Sequence, residues 1–288
     1  MNACASRSRN GRCSRRQRSA AGRRRGEFAG RWTARLLGAL AVLWAVAAGA
    51  EQLVEIPTRP GVTQRMLVLP AARPLATVIL LPGGHGGLQL GPDGALRWGA
   101  GNFLVRSRQA FADQGFTVVL VDAPSDRQQP PFLAGFRQRP EHVADLGAVI
   151  AWARSSAPAP VWLVGTSRGT QSAAYLATAL SGPAGPDGVV LTATVLLDPR
   201  GRAVPAMPLQ RVHVPVLVLH HTQDGCAACP FALAGQVVAG LTNAPRRELA
   251  AVSGGTSQGD PCEAFAHHGF HGIEGAVVQR IADWILAR

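Results

Sequence analysis

Short apolar runs and longer amphipathic runs alternate along this chain from about Thr63 to its end. Apolar runs of four to eight residues bounded by Gly, Pro or Asp read as strands, and stretches with apolar positions three or four apart read as helices. The predicted strands are Met66 to Leu69, Thr77 to Leu81, Thr117 to Val121, Val161 to Val164, Thr192 to Leu197, Pro215 to Leu219 and Glu248 to Val252. Several are apolar throughout, as expected of strands buried on both faces. The predicted helices are Asn102 to Gln114, His142 to Ser155, Arg168 to Leu180, Pro230 to Ala239 and Gly272 to Ala287. In the last, Ile273, Val277, Ile281 and Ile285 recur every fourth position, an apolar stripe for docking on a sheet. Strands and helices alternating along most of the chain predict an α/β fold, a mainly parallel sheet with helices on both faces.

The first fifty residues have a different character. They carry eleven arginines against one acid, Glu27, which accounts for +10 of the formal +12 and leaves +2 for residues 51–288. The region that would fold is therefore nearly neutral, and its charge recommends no nucleic-acid partner. Behind the arginines runs an apolar stretch from Leu36 to Val46, followed by Ala48-Gly49-Ala50, the layout of an export signal cleaved after Ala50. The fifteen residues from Leu36 to Ala50 fall short of the about 20 that cross a bilayer, so membrane attachment would require an uncleaved signal. A nucleic-acid-binding arm would need no such apolar run. The reading is a signal peptide over 1–50 and a single domain over 51–288, periplasmic or extracellular, with oligomeric state left open.

Chemistry concentrates after the predicted strands, where the ligand sites of open parallel sheets form. Val161 to Thr170 is a strand, then Gly165-Thr166-Ser167-Arg168-Gly169, then a helix start. In such a turn a serine is held above the sheet, and small residues let the helix approach the strand. A serine hydroxyl needs a base to take its proton and a carboxylate to orient that base. Asp224 follows the strand Pro215 to Leu219, and His267, His268 and His271 precede the last helix, too close together for spacing to choose among them.

Ser, Asp and His in that chain order, with G-x-S-x-G between strand and helix, resemble the α/β-hydrolases over about Thr63 to Arg288. The strand entering His220-His221-Thr222-Gln223-Asp224-Gly225-Cys226, with a base after Cys262, resembles compact exported bacterial members. The resemblance implies a serine hydrolase acting on a small ester-like substrate, with Ser167 as nucleophile, Asp224 as acid and His268 as base, His267 being second choice. It also implies that Gly83-Gly84-His85-Gly86-Gly87 gives one oxyanion donor, from Gly84 or His85, and Arg168 the other. Only a short loop lies between Leu197 and Val214, where many relatives insert a lid. An acyltransferase, a thioesterase, or a binding protein that keeps the fold without turnover would share these residues.

Of the five cysteines, Cys4 and Cys13 fall in the signal, leaving Cys226, Cys229 and Cys262. In an oxidising compartment one disulfide is expected, Cys226 to Cys262 or alternatively Cys229 to Cys262. A zinc site made from His220, His221, Asp224, Cys226 and Cys229 would lack a second ligand pair at a separate turn. The glycine-rich loop lacks the G-x-G-x-x-G spacing of a dinucleotide site. No metal and no cofactor is expected.

Overall fold

A computed structural model describes residues 50–199 and 201–287. The signal-peptide reading and Cys4 and Cys13 lie outside them. The elements are β1 (Gln52–Arg59), β2 (Val62–Leu69), β3 (Thr77–Leu81), α1 (Phe103–Arg106), α2 (Arg108–Asp113), β4 (Thr117–Pro124), α3 (Pro140–Ser156), β5 (Val161–Thr166), α4 (Gly169–Ala179), β6 (Gly188–Thr192), β7 (Val216–His221), α5 (Gly235–Gly240), β8 (Arg247–Val252) and α6 (Glu274–Leu286), joined by loops and short 3-10 turns. The strands form one sheet in the order β1-β2-β4-β3-β5-β6-β7-β8. β1 and β2 are antiparallel, β2 pairs antiparallel with β4, and the remaining neighbours run parallel.

Alternation along each strand divides the core in two, because successive side chains leave a strand on opposite faces. Ile79, Leu81, Val119, Val121, Val161 and Leu163 pack with α3, α4 and α5. Val78, Leu80, Val118, Leu120, Trp162 and Val164 pack with α1, α2 and α6 on the other face. The α6 stripe buries Val277, Val278, Ile281, Trp284 and Ile285, as its period predicts.

Three expectations are corrected. β1 is absent from the sequence reading because its side chains are only half-buried and it contains Pro57, features that an edge strand tolerates. Residues Thr192 to Leu197 are not a strand. The strand is Gly188–Thr192, whose Gly188 leaves room for the Trp162 ring on the neighbouring strand. Beyond it the chain turns away at Ala193 (φ 45°), and Val195 and Leu196 are buried by loop packing instead. The helix expected over Asn102 to Gln114 breaks at Ser107 (ψ 2°) into α1 and α2. Phe103, Leu104 and Val105 are all buried, and consecutive helical positions point about 100° apart, so one straight helix could not turn all three and Phe111 onto one face.

This topology locates the site. After β3 the chain moves to β4 on one side, and it returns to place β5 on the other side of β3. At such a switch point the segments leaving adjacent strands diverge and open a crevice at their carboxyl ends. The segments diverging here are the glycine-rich loop after β3 and the serine turn after β5.

Candidate active site

The serine turn is built by its glycines. A Cβ on Gly169 would strike the carbonyl of Leu81 on β3, and one on Gly165 would lie 2.6 Å from the Gly169 carbonyl. The tight crossing puts Ser167 at φ 51°, a left-handed conformation costly for a residue with a side chain. Its amide donates to the Thr192 carbonyl (3.0 Å), and its own carbonyl accepts from the Thr170 amide and hydroxyl (2.9 and 2.6 Å). The Ser167 hydroxyl makes no hydrogen bond to a described residue and lines a cleft of about 490 Å³.

His268 lines the same cleft. It sits in a 3-10 turn, His267–Gly269, where a Cβ on Gly269 would strike the Ala264 carbonyl and where Phe270, at φ 58°, anchors the turn against Phe103. Arg106 on α1 braces this turn by donating to the Gly269 carbonyl (2.6 Å) and pairing with Glu274 (2.9 Å). His268 Nδ1 lies 2.9 Å from Asp224 Oδ2, both residues being buried, while its Nε2 is buried with no hydrogen-bond partner among the described residues. Asp224 is held in turn by the Cys226 amide (2.9 Å) on Oδ1. His267 does not meet the carboxylate. It stacks on His221 at 4.3 Å, and His271 lies 3.5 Å from Glu274.

The glycine-rich loop reaches the crevice from β3. A Cβ on Gly83 would be 2.8 Å from the Ser167 Cβ, and one on Gly84 (φ 58°) 2.5 Å from the Trp98 ring. The backbone N–H groups of Gly84, His85 and Arg168 donate to no described residue. His85 is clamped between Trp98 (3.7 Å) and Phe132 (4.1 Å), and burial, followed by the Arg137 charge, holds its pKa below the ordinary histidine value. Asp122 at the end of β4 secures the chain after the loop. Its carboxylate accepts from the amides of Leu88 (2.5 Å), Gln89 (3.1 Å) and Leu90 (2.9 Å). Nothing in a one-dimensional pattern marks Asp122 or Arg106, because their partners lie far along the chain.

Cys226 and Cys262 form a disulfide that ties the Asp224 loop to the segment before His268, and Cys229 is a buried free thiol whose pKa burial pushes up. The sulfurs of Cys226 and Cys229 and a His268 nitrogen lie within 4.8 Å of one another. With Cys226 oxidised, only two donors remain there, short of the three or four protein ligands that a zinc site uses.

Two further histidines are buried under the site. His142 contacts Ser172 (2.9 Å), and His220 accepts the Thr194 amide through Nε2 (2.7 Å). Burial, with the Arg137 and Arg59 charges, drives His142 down to about 3, and burial, only partly opposed by Asp224, takes His220 to about 4. In the unfolded chain both titrate near 6.5. Below that pH the unfolded state binds protons that the folded state refuses, so stability falls as pH drops from about 6.5 towards 4, by roughly 1.4 kcal/mol per pH unit for each histidine. Melting temperatures from pH 7.5 to 4.5 should decline steeply below 6.5, and a flat profile would contradict buried neutral histidines.

No protein-family model and no curated protein matches the chain in sequence. Solved structures do match its fold. An esterase from Pyrococcus furiosus aligns at TM-score 0.60 and 12% identity over 83% of this chain and 93% of that one. A putative dienelactone hydrolase from Klebsiella pneumoniae aligns at 0.58 and 17%, over 83% and 100%. An α/β serine hydrolase without lid from Xanthomonas campestris aligns at 0.53 and 18%, over 80% and 94%. Sheet order, crevice and these alignments define the class: the chain has the α/β-hydrolase fold.

Proposed function

We propose that the protein is a serine hydrolase that cleaves a carboxylic ester of a small molecule through an acyl-enzyme. The observation that carries this reading is the pairing of His268 with Asp224 at 2.9 Å, with a buried, unpartnered Nε2 in the cleft that Ser167 also lines.

In this mechanism His268 Nε2 takes the hydroxyl proton as Ser167 Oγ attacks the ester carbonyl. Asp224 accepts the Nδ1–H, which keeps the free nitrogen facing the serine and stabilises the imidazolium that forms. The carbonyl oxygen gains charge in the transition state, and the unpaired amides of Arg168 and of Gly84 or His85 are rigid donors for it. Collapse expels the alcohol with the proton from His268, and water attacks the acyl-enzyme by the same route in reverse. These side chains and amides supply every group that both steps need. Export is part of this reading, supported by the Cys226–Cys262 disulfide, which fits an oxidising compartment.

A fluorophosphonate probe tests the proposal directly. Wild-type protein should be labelled at Ser167, and Ser167→Ala and His268→Ala should not be. Folded wild type that stays unlabelled, or equal labelling of Ser167→Ala, rejects the mechanism.

A further inference from the structure

A second cleft, of about 580 Å³, adjoins the one holding Ser167 and His268 and shares Gly84 and Arg168 with it. Among the described residues lining it are three arginines, Arg137, Arg168 and Arg202, and one acid, Asp198, whose carboxylate pairs with Arg168 at 3.3 Å. Leu133 and Ala134 give the same cleft an apolar stretch.

Arg137 is the unusual member. It is only 6% exposed, yet it pairs with no carboxylate among the described residues. Its Nη1 donates to Ser172 Oγ (3.0 Å) and its Nη2 to the carbonyls of Pro82 (3.2 Å) and Gly84 (3.3 Å). Burial, followed by the like charge of Arg168, brings its pKa down to about 9, so it stays charged at neutral pH. Neutral acceptors offset the burial of this cation only in part, and an anion joining it would offset more. Arg202 makes no ion pair with a described residue either. Its backbone carbonyl is fixed by the side-chain amides of Gln138 (2.8 Å) and Gln171 (2.9 Å), which sets where the side chain starts.

Resting on the hydrolase reading above, we propose that this cleft holds a free carboxylate of the substrate, so that the ester cleaved by Ser167 is anionic, such as a half-ester of a short dicarboxylic acid. The Gly84 carbonyl that Arg137 holds belongs to the loop proposed to donate to the oxyanion. The bound carboxylate would therefore sit a few bonds from the reacting carbonyl, with Leu133 and Ala134 against the intervening methylenes. The planar two-oxygen face of a carboxylate suits the fork of a guanidinium.

The test compares kcat/KM for 4-nitrophenyl hydrogen glutarate with that for its neutral methyl ester, after subtracting uncatalysed hydrolysis. The half-ester should be favoured at least about tenfold at low salt, and Arg202→Gln should cut that ratio by about tenfold, as expected for loss of one good charge-assisted contact. Arg202 is the better variant because substituting the buried Arg137 endangers folding. Free glutarate should inhibit competitively. Equal or better turnover of the neutral ester, a ratio unmoved in Arg202→Gln, or inhibition by inorganic phosphate but not glutarate would overturn the assignment. Fluorophosphonate labelling read in parallel separates the two claims. Labelled enzyme without anionic preference removes the subsite and leaves the hydrolase. Unlabelled protein that binds glutarate by calorimetry, more weakly in Arg202→Gln, keeps the anion site and removes the hydrolase. Absence of both signals removes both.

Discussion

Ser167→Ala should lower kcat for 4-nitrophenyl acetate by about 10⁴- to 10⁶-fold while leaving the melting temperature nearly unchanged. The large kinetic effect follows from removing the atom that forms the acyl bond in the proposed mechanism. The small thermal effect follows because the hydroxyl makes no hydrogen bond to a described residue, and alanine takes on the same left-handed backbone that serine already occupies. His268→Ala should cost a similar factor, since the serine proton then has no acceptor, but it should also melt earlier because Asp224 is left buried beside an empty space. The double variant should be no slower than the worse single one, because nucleophile and base act as one unit. Steady-state rates of the three proteins decide this. Ser167→Ala retaining more than about a tenth of wild-type kcat would remove it as the nucleophile, and additive losses would mean that the two residues work separately.

Breaking the Cys226–Cys262 bond should destabilise the protein by about 3–4 kcal/mol, from the chain entropy of a loop closed over 36 residues. For a chain of this size that is a fall of roughly 10 °C in melting temperature. The free Cys229 complicates a single substitution. Its sulfur lies within 4.8 Å of the Cys226 sulfur, so a liberated Cys226 thiol could pair with it under oxidation. The informative protein is Cys229→Ala/Cys262→Ala, compared with Cys229→Ala alone. Activity should fall along with stability, because the bond joins the loop of Asp224 to the segment leading into His268, and the 2.9 Å contact between them crosses 44 residues of sequence. A melting-temperature change under about 2 °C, with unchanged kcat, would show that the two loops hold their places through packing alone.

Much of the framework was legible because it is written in local patterns. β3, β5 and the start of β7 are apolar runs bounded by turn residues, and α6 shows its stripe at the helical period. The serine turn is legible because only glycine fits where β3, β5 and α4 cross, so the spacing of Gly165, Ser167 and Gly169 records a steric fact. Other features escaped for the complementary reason. β1 is half-buried at an edge and carries little signal of its own, and Val195 and Leu196 are as apolar as a strand but are buried by a loop.

The sequence by itself determined the alternating α/β order, the serine turn, the acid after β7 and the histidine-bearing loop before α6, since each depends on residues within a few positions of one another. The tertiary structure decided which histidine meets Asp224, which cysteines join, that Asp122 holds the amides after the glycine-rich loop, and that Arg137 lies buried beside it with no carboxylate partner among the described residues. Those choices depend on distances between segments tens of residues apart. Such distances arise only when β3 and β5 lie side by side and the loops beyond the strands are packed together at one end of the sheet.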